Sequence, residues 1–232
     1  MKKFGFFVFI TVMLFILLFI LCRIIRLIAL RKIIRDMYID LIRRLNDNNV
    51  QYWTDFGTLL GIMRDNDIII GDNDADICIV PTKENIEKCE KVVNQMGGEY
   101  LDWGAFRVYS YGRFVDIYIP TIEDKEDKEK DKEDKEKEKQ YKNPTGELID
   151  VNDIHPIEKK QVDIGGVIVN VSMPSNIEVV LEKRYGDWKK TKRNWSNFHF
   201  DPEKEPITIG IEGFLVFIFV ALFSAYYCYY LY

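Results

Sequence analysis

The chain has 232 residues, with 32 Lys and Arg against 37 Asp and Glu, which gives a formal net charge of −5. This length allows one domain with appendages. The acidic balance gives no reason to expect a nucleic-acid partner, because proteins that bind nucleic acid usually carry a basic face. The four cysteines have no zinc-ligand spacing and suggest no disulfide framework.

The first segment, Phe4 to Leu21, is apolar and carries no charge between Lys3 and Arg23. At about 1.5 Å per residue, such a helix just crosses the roughly 30 Å of hydrocarbon in a bilayer. A signal peptide would have a shorter apolar region followed by a cleavage site with small residues. Because a basic segment follows instead, we expect residues 1–22 to be an uncleaved transmembrane anchor.

An amphipathic helix is predicted from Arg26 to Asn48, because apolar residues recur there at spacings of three and four. Its basic residues occupy other positions and are expected to be solvated or to lie near lipid headgroups. They are Arg31, Lys32, Arg35, Arg43 and Arg44. A short strand, Val50 to Thr54, is predicted next.

The most informative stretch runs from Tyr52 to Val80. A small-residue turn is predicted at Gly57-Thr58-Leu59-Leu60-Gly61, followed by Arg64 and by three acids at a spacing of two, Asp72, Asp74 and Asp76. Residues i and i+2 of a strand project from one face, so Asp74 and Asp76 should converge, with Asp72 just ahead of them. Convergent carboxylates suit Mg²⁺ (or Mn²⁺), because hard cations take oxygen ligands.

Two simpler structures also contain acids at such a spacing. Asp, Asn and Gly are common in plain turns, and this alternative stays open for the acids taken alone. A calcium loop starting at Asp72 would need Gly at its sixth position and an acid at its twelfth, where the chain has Ile77 and Lys83. The calcium loop is therefore excluded.

Beyond Pro81, a helix is predicted from Glu84 to Gln95 with Thr82 as its N-cap, and a strand from Tyr100 to Tyr111. Arg107 and Arg113 are candidate anion contacts, although arginines in such positions usually lie at the surface.

Asp116 is surrounded by β-branched and aromatic residues from Arg113 to Ile119, which predicts a further strand. An ionised carboxylate on a half-buried strand is costly unless it is paired or metal-bound. The combination of a glycine turn, an acid-x-acid strand and one acid on the next strand resembles the nucleotidyltransferase pattern of the polymerase-beta type.

Residues 123–139 are seventeen successive charged residues, ten acids and seven lysines. Such a segment cannot form a core and is expected to be an exposed insertion without chemistry, with a short helix or a binding tail as alternatives. His155 is expected to be a hydrogen-bonded structural residue. A hairpin around Gly165-Gly166 is predicted from Gln161 to Val171, and a helix from Asn176 to Tyr185.

The last segment, 207–232, has twenty uncharged residues after Glu212 and five tyrosines near its end. This composition predicts a second membrane span with an interfacial aromatic belt, against a buried core helix as the alternative.

The block FGTLLGIMRDNDIIIGDNDADI resembles the LicD family, which includes bacterial phosphocholine transferases and fukutin-related enzymes. The later segment from Leu181 to Trp188 is similar to the family's closing L-E-x-x-Y-G motif. The resemblance extends from about Asp36 to Trp188. The chain has Ile70-Gly71 where the family often has Pro-Trp, and Asn73 where it often has an acid or His. Both acids of the strand are retained, so only the selectivity for donor or acceptor is put in doubt.

The resemblance implies an α+β, nucleotidyltransferase-like fold with a mixed sheet and flanking helices, to which the two transmembrane segments are added. The catalytic domain would be residues 23–201. It also implies a Mg²⁺-dependent enzyme that moves a phosphorylated small alcohol, such as phosphocholine or a ribitol-phosphate-like group, from a CDP-linked donor to a glycan or glycoconjugate acceptor. The same acids would serve a nucleotidyltransferase acting on a small molecule or protein, and an inactive membrane scaffold on this fold is a further alternative.

The resemblance and the spacing of the motif residues also predict which of them contact the metal and which contact phosphate. Asp74, Asp76 and Asp116 would bind the metal, with Asp72 as an additional candidate, and Asp116 would complete the metal site or act as the base. Gly57, Thr58, Gly61 and Arg64 would contact phosphate, because glycine lets backbone N–H groups approach closely and arginine forks to phosphate oxygens.

Two sets of signals point to opposite sides of the membrane. Basic residues after the first span favour a cytosolic domain, whereas sequons at Asn170 and Asn194 permit a lumenal one. The resemblance favours an endomembrane protein of the ER or Golgi, with the bilayer as a partner and the side of the catalytic domain left open.

Overall fold

The computed structural model describes residues 2–124 and 138–190. The elements before the charged segment are α1 (Lys2–Asp47), β1 (Tyr52–Thr54), α2 (Phe56–Asp65), β2 (Asp74–Ile79), α3 (Lys83–Gln95), β3 (Glu99–Leu101), β4 (Ala105–Ser110), β5 (Arg113–Tyr118) and β6 (Thr121–Asp124). Those after it are β7 (Lys139–Lys142), β8 (Leu148–Asp150), α4 (Val151–Ile154), β9 (Glu158–Ile164), β10 (Val167–Met173) and α5 (Ile177–Tyr185).

The N-terminal segment and the amphipathic helix predicted from Arg26 to Asn48 form one continuous helix, α1. Neither Pro nor Gly stands between Leu21 and Arg26 to stop it. Among the described residues, only α1 contains a stretch long and apolar enough to cross a membrane, and length and composition fit a signal anchor or a core helix equally. The segment 207–232, Asn194 and the predicted domain end at residue 201 lie outside the described residues.

Residues 29–191 form one compact unit, and the other unit includes residues 1–28. The core of the larger unit contains apolar residues of α1, of the sheet and of α3 in a single buried cluster. From α1 it takes the apolar residues that recur at spacings of three and four, namely Ile34, Met37, Tyr38, Leu41, Ile42 and Leu45. Two basic residues of this helix are half-buried rather than fully solvated, because Arg31 and Arg35 both form ion pairs with the buried Asp67.

A five-stranded mixed sheet, in the order β1-β2-β5-β4-β3, is the centre of the fold. Strands β2 and β5 are parallel, and the other neighbours are antiparallel. This arrangement confirms the α+β class with a mixed sheet. One face carries Ala75, Ile77, Val115 and Ile117, which are fully buried. Because side chains alternate along a strand, the acids of β2 and β5 lie on the opposite face.

Two further sheets follow the central one, a three-stranded sheet β6-β7-β8 and the hairpin β9-β10. The hairpin confirms the predicted turn at Gly165-Gly166, where both residues have positive φ, 59° and 88°. The charged segment begins and ends in strands, since Asp124 pairs with Lys139 across β6 and β7. Asn170, one of the sequons, lies exposed on β10.

The structure corrects one predicted element and confirms two others. The predicted strand from Tyr100 to Tyr111 is two strands, β3 and β4, because Asp102-Trp103-Gly104 forms a turn in which Gly104 has φ +95°. Helix α3 is confirmed, including its cap, since the Thr82 hydroxyl accepts a hydrogen bond from the Asn85 N–H. Helix α5 is also confirmed, although it starts one residue later than predicted.

The predicted turn at Gly57–Gly61 is wrong, because these residues lie in the helix α2. Asp55 caps this helix by accepting the N–H of Phe56, and its carbonyl accepts the N–H of Leu59. Gly61 is needed for packing rather than for a turn: a Cβ there would lie 2.6 Å from the carbonyl oxygen of Asp67.

Candidate active site

Strands β2 and β5 bring three predicted acids together. Their backbones are in register at Asp76 and Asp116, and Asp74 lies two residues earlier on the same face of β2. Asp74, Asp76 and Asp116 each offer one carboxylate oxygen, and these oxygens all lie within 4.8 Å of one another. The parallel pairing of two strands distant in sequence therefore creates the cluster.

The electrostatics of this cluster are unfavourable to three ionised carboxylates. Burial, followed by the nearby Asp74, Asp116 and Asp72, raises the pKa of Asp76 well above its usual range. Burial and then Asp74 raise the pKa of Asp72 to about 6. Like charges within a few ångströms disfavour ionisation unless a cation offsets them. The cluster is thus a site where a bound cation would be strongly stabilised.

The start of α2 lies against the acids. The Thr58 hydroxyl accepts the backbone N–H of Asp76 at 2.7 Å. A Cβ on Gly57 would lie 3.1 Å from a carboxylate oxygen of Asp72. The structure therefore places Gly57 and Thr58 at the acidic cluster, as expected for the predicted site, although through a helix terminus rather than a loop.

The other two predicted phosphate contacts have different surroundings. Gly61 packs against the segment that follows α2, as described above. Arg64 forks to its neighbour Asp65, with Nε–Oδ1 at 2.9 Å and Nη2–Oδ2 at 2.8 Å.

Arg107 is a site residue whose role the sequence did not reveal. Its Nε donates to Asp116 Oδ1 at 2.5 Å and its Nη2 donates to Oδ2 at 2.7 Å. The pairing follows from the register of β4 with β5, in which Arg107 stands directly opposite Asp116. Arg113, the other candidate anion contact, is buried and donates to the Asn73 side chain at 2.5 Å.

A second ion pair joins the start of α2 to α5. Asp55 is fully buried, and Arg184 forks to it, with Nη2–Oδ2 at 3.0 Å. Asp55 also accepts from the indole N–H of Trp53 at 3.0 Å and the Cys78 thiol at 3.6 Å. The sequence signal was present, because Asp55 precedes the Gly57–Gly61 segment and Arg184 belongs to the L-E-x-x-Y-G segment.

Aromatic rings border the acids at one end of β5. Tyr118 packs between Phe56, at 5.3 Å between ring centroids, and Trp103, at 5.7 Å. Arg184 lies over the Phe56 ring at 4.1 Å. Burial, followed by Asp76 and Asp116, raises the pKa of Tyr118 well above its usual range, so its hydroxyl stays protonated.

His155 lies in a structural setting. Its Nε2 is 2.7 Å from the Tyr141 hydroxyl, and its carbonyl accepts the Ser175 hydroxyl. Burial lowers the pKa of its imidazole. These contacts agree with the expected hydrogen-bonded structural role.

The donor set fits a hard divalent cation. Three carboxylate oxygens converge on one point. A positive charge there would lower the free-energy cost of ionising Asp76, whose pKa is raised by burial and by the neighbouring carboxylates. The residues present could therefore hold Mg²⁺ or Mn²⁺.

Three converging carboxylates on adjacent parallel strands of a mixed sheet form a candidate metal-binding site. Residues 49–132 match the family model described as "LicD/FKTN/FKRP, nucleotidyltransferase domain". This match supports the resemblance to the LicD family over those residues.

Among solved structures, the chain is similar to the antibiotic-resistance factor ANT(2'')-Ia, determined in solution, with 14% identity and a TM-score of 0.37. That comparison covers 84% of this chain and 98% of the other. No match was found among curated proteins.

Proposed function

We propose that the protein is a membrane-bound transferase that moves a phosphorylated small alcohol from a CDP-linked donor to a glycan or glycoconjugate acceptor. The observation that carries this proposal is the cluster of Asp74, Asp76 and Asp116 within a domain of the LicD family. The head group would be phosphocholine or a ribitol-phosphate-like group.

In the proposed reaction, an acceptor hydroxyl oxygen forms a new bond to the phosphorus that carries the head group. The bond between that phosphorus and the oxygen bridging it to CMP breaks, the electron pair leaves with CMP, and the hydroxyl proton passes to solvent. The products are CMP and a phosphodiester between head group and acceptor. A Mg²⁺ bound by the three acids would neutralise charge on the donor's diphosphate.

The chain's own residues would orient the donor. Gly57 and Thr58 stand at the N-terminal turn of α2, beside the acids, where backbone N–H groups and the helix dipole favour phosphate. Arg64 would reach phosphate only by leaving Asp65. Asp116 is assigned to the metal rather than to proton abstraction, because it is almost fully buried and both its oxygens accept hydrogen bonds from Arg107.

Membrane attachment is part of the proposal and is supported by the apolar length of α1. The second span at 207–232 and a place in the ER or Golgi are proposed from the composition and the family resemblance. Protease protection of tagged termini in intact vesicles, with glycosidase treatment for use of Asn170, would test the topology.

The first test measures Mg²⁺-dependent binding of CDP and CMP to the detergent-solubilised full chain, with Asp74→Asn/Asp76→Asn as the control variant. We expect binding that needs both the metal and the two acids. CMP release from CDP-ribitol and CDP-choline, with a glycan acceptor present, then separates the two head groups. A nucleotide found on the product would instead favour the nucleotidyltransferase alternative, and a folded protein without nucleotide binding would favour the scaffold.

A further inference from the structure

Arg107 holds the third carboxylate of the cluster with an unusually complete set of contacts. The guanidinium forks to both oxygens of Asp116, at 2.5 and 2.7 Å. The Asp116 side chain is 4% exposed, whereas that of Arg107 is 23% exposed. The carboxylate is therefore almost completely enclosed, whereas the guanidinium that binds it keeps some contact with solvent.

The guanidinium is itself held in place by aromatic rings. It lies over Phe114 at 3.9 Å from the ring centroid, with Trp103 at 5.9 Å and Tyr109 at 6.0 Å. Stacking of this kind fixes the plane of a guanidinium, and the fork then fixes the plane of the carboxylate that it binds. The rotamer of Asp116 is thereby determined from β4 and β5 together.

The strand register places Asp116 between Arg107 and the other acids of the cluster. Asp76, Asp116, Arg107 and Glu99 stand opposite one another across four neighbouring strands, β2, β5, β4 and β3. Asp116 therefore has Arg107 on one side and Asp76 on the other. Each carboxylate oxygen has two lone pairs, so an oxygen that accepts from Arg107 keeps one for a cation held with Asp74 and Asp76.

We propose that Arg107 is the positioning residue for the third metal ligand, acting by the geometry of its fork on Asp116 rather than by its charge. This inference rests on the proposed metal-dependent function. The opposite role would be competition, in which the guanidinium takes the place of the cation and must leave before the metal binds. The two roles predict opposite changes in metal affinity.

The test measures Mn²⁺ affinity from the electron paramagnetic resonance signal of the free ion, using the full chain in detergent. Arg107→Lys keeps the charge and removes the fork, and Arg107→Gln removes both. Partners that orient a metal ligand typically contribute about 10- to 100-fold to affinity. We expect Arg107→Lys to weaken Mn²⁺ binding about tenfold or more, and Arg107→Gln to bind no tighter than the wild type.

Two controls distinguish a positioning role of Arg107 from non-specific destabilisation of the protein. Arg44→Gln breaks an exposed arginine–aspartate pair with Asp40 on α1 and should leave Mn²⁺ affinity unchanged. In an Asp116→Asn background, adding Arg107→Lys should have no further effect, because the arginine acts through that carboxylate.

Each outcome is decisive. Wild-type affinity in Arg107→Lys, tighter binding in Arg107→Gln, or a further loss in the Asp116→Asn background would overturn the inference while leaving the metal site intact. Absence of Mn²⁺ binding in the wild type would overturn the proposed function and this inference with it.

Discussion

The buried pair between Asp55 and Arg184 provides a stringent test of how the fold supports the site. Substitution Arg184→Gln removes the guanidinium from a carboxylate that is fully buried, while the arginine side chain is 7% exposed. Breaking a buried pair by removing one partner usually costs about 3–5 kcal/mol, because the other charge stays buried.

The structure places the expected loss at the lower end of that range. Asp55 keeps the N–H donors of Phe56 and Trp53, both at 3.0 Å, after Arg184 is removed. We therefore expect a loss of about 3 kcal/mol. For a domain of this size, about 2–4 °C per kcal/mol converts the loss to a decrease in Tm of about 6–12 °C.

The measurement is thermal unfolding of the full chain in detergent, followed by circular dichroism. Lys183→Gln is the matched control, because the neighbouring Lys183 loses the same charge but is 51% exposed and pairs with Asp150 and Asp153. Exposed pairs contribute about 0–1 kcal/mol, so its Tm should fall by no more than about 4 °C. Equal losses in the two variants would refute the argument from burial.

Three further predictions concern the acids and the glycines, all read from Tm of the metal-free protein. Asp76→Asn should raise Tm at pH 7.5, because burial and then neighbouring carboxylates penalise the ionised form; a lower Tm would contradict this. Asp72 has a folded-state pKa of about 6, above its unfolded value, so its ionisation destabilises the fold. Stability should therefore decline as pH rises from about 4 through 6, by at most about 3 kcal/mol, and Asp72→Asn should flatten that slope. Gly61→Ala should destabilise by about 1–3 kcal/mol, since its Cβ would lie 2.6 Å from the Asp67 carbonyl oxygen. Gly57→Ala, with 3.1 Å to a side-chain oxygen, should cost less.

Local sequence patterns were sufficient to predict much of the fold. The spacing of Asp74 and Asp76 predicted one face of a strand, the flanking residues of Asp116 predicted another strand, and the structure shows both. The N-cap at Thr82 and the glycine pair of the hairpin were also predictable, because capping and positive φ are local requirements.

The sequence predictions fail for residues whose conformation or partners are determined by tertiary contacts. Gly61 suggested a turn, but it lies in a helix, where the absence of a side chain lets the carbonyl oxygen of Asp67 pack closely against it. The fork of Arg107 on Asp116 depends on which residues of β4 and β5 stand opposite, and the sequence does not encode that register in any local signal. Asp55 and Arg184 are 129 positions apart, so their pairing also required the fold.

The pairing of β6 with β7 brings the two ends of the charged segment together. Asp124 stands opposite Lys139, so the three-stranded sheet holds both ends of the segment regardless of what lies between them. Closing a flexible loop becomes only about 0.6 kcal/mol more costly when its length doubles. Gain or loss of charged residues here would therefore be nearly neutral for stability over evolutionary time. For the same reason, an affinity tag or a protease site placed in this segment should leave the domain folded.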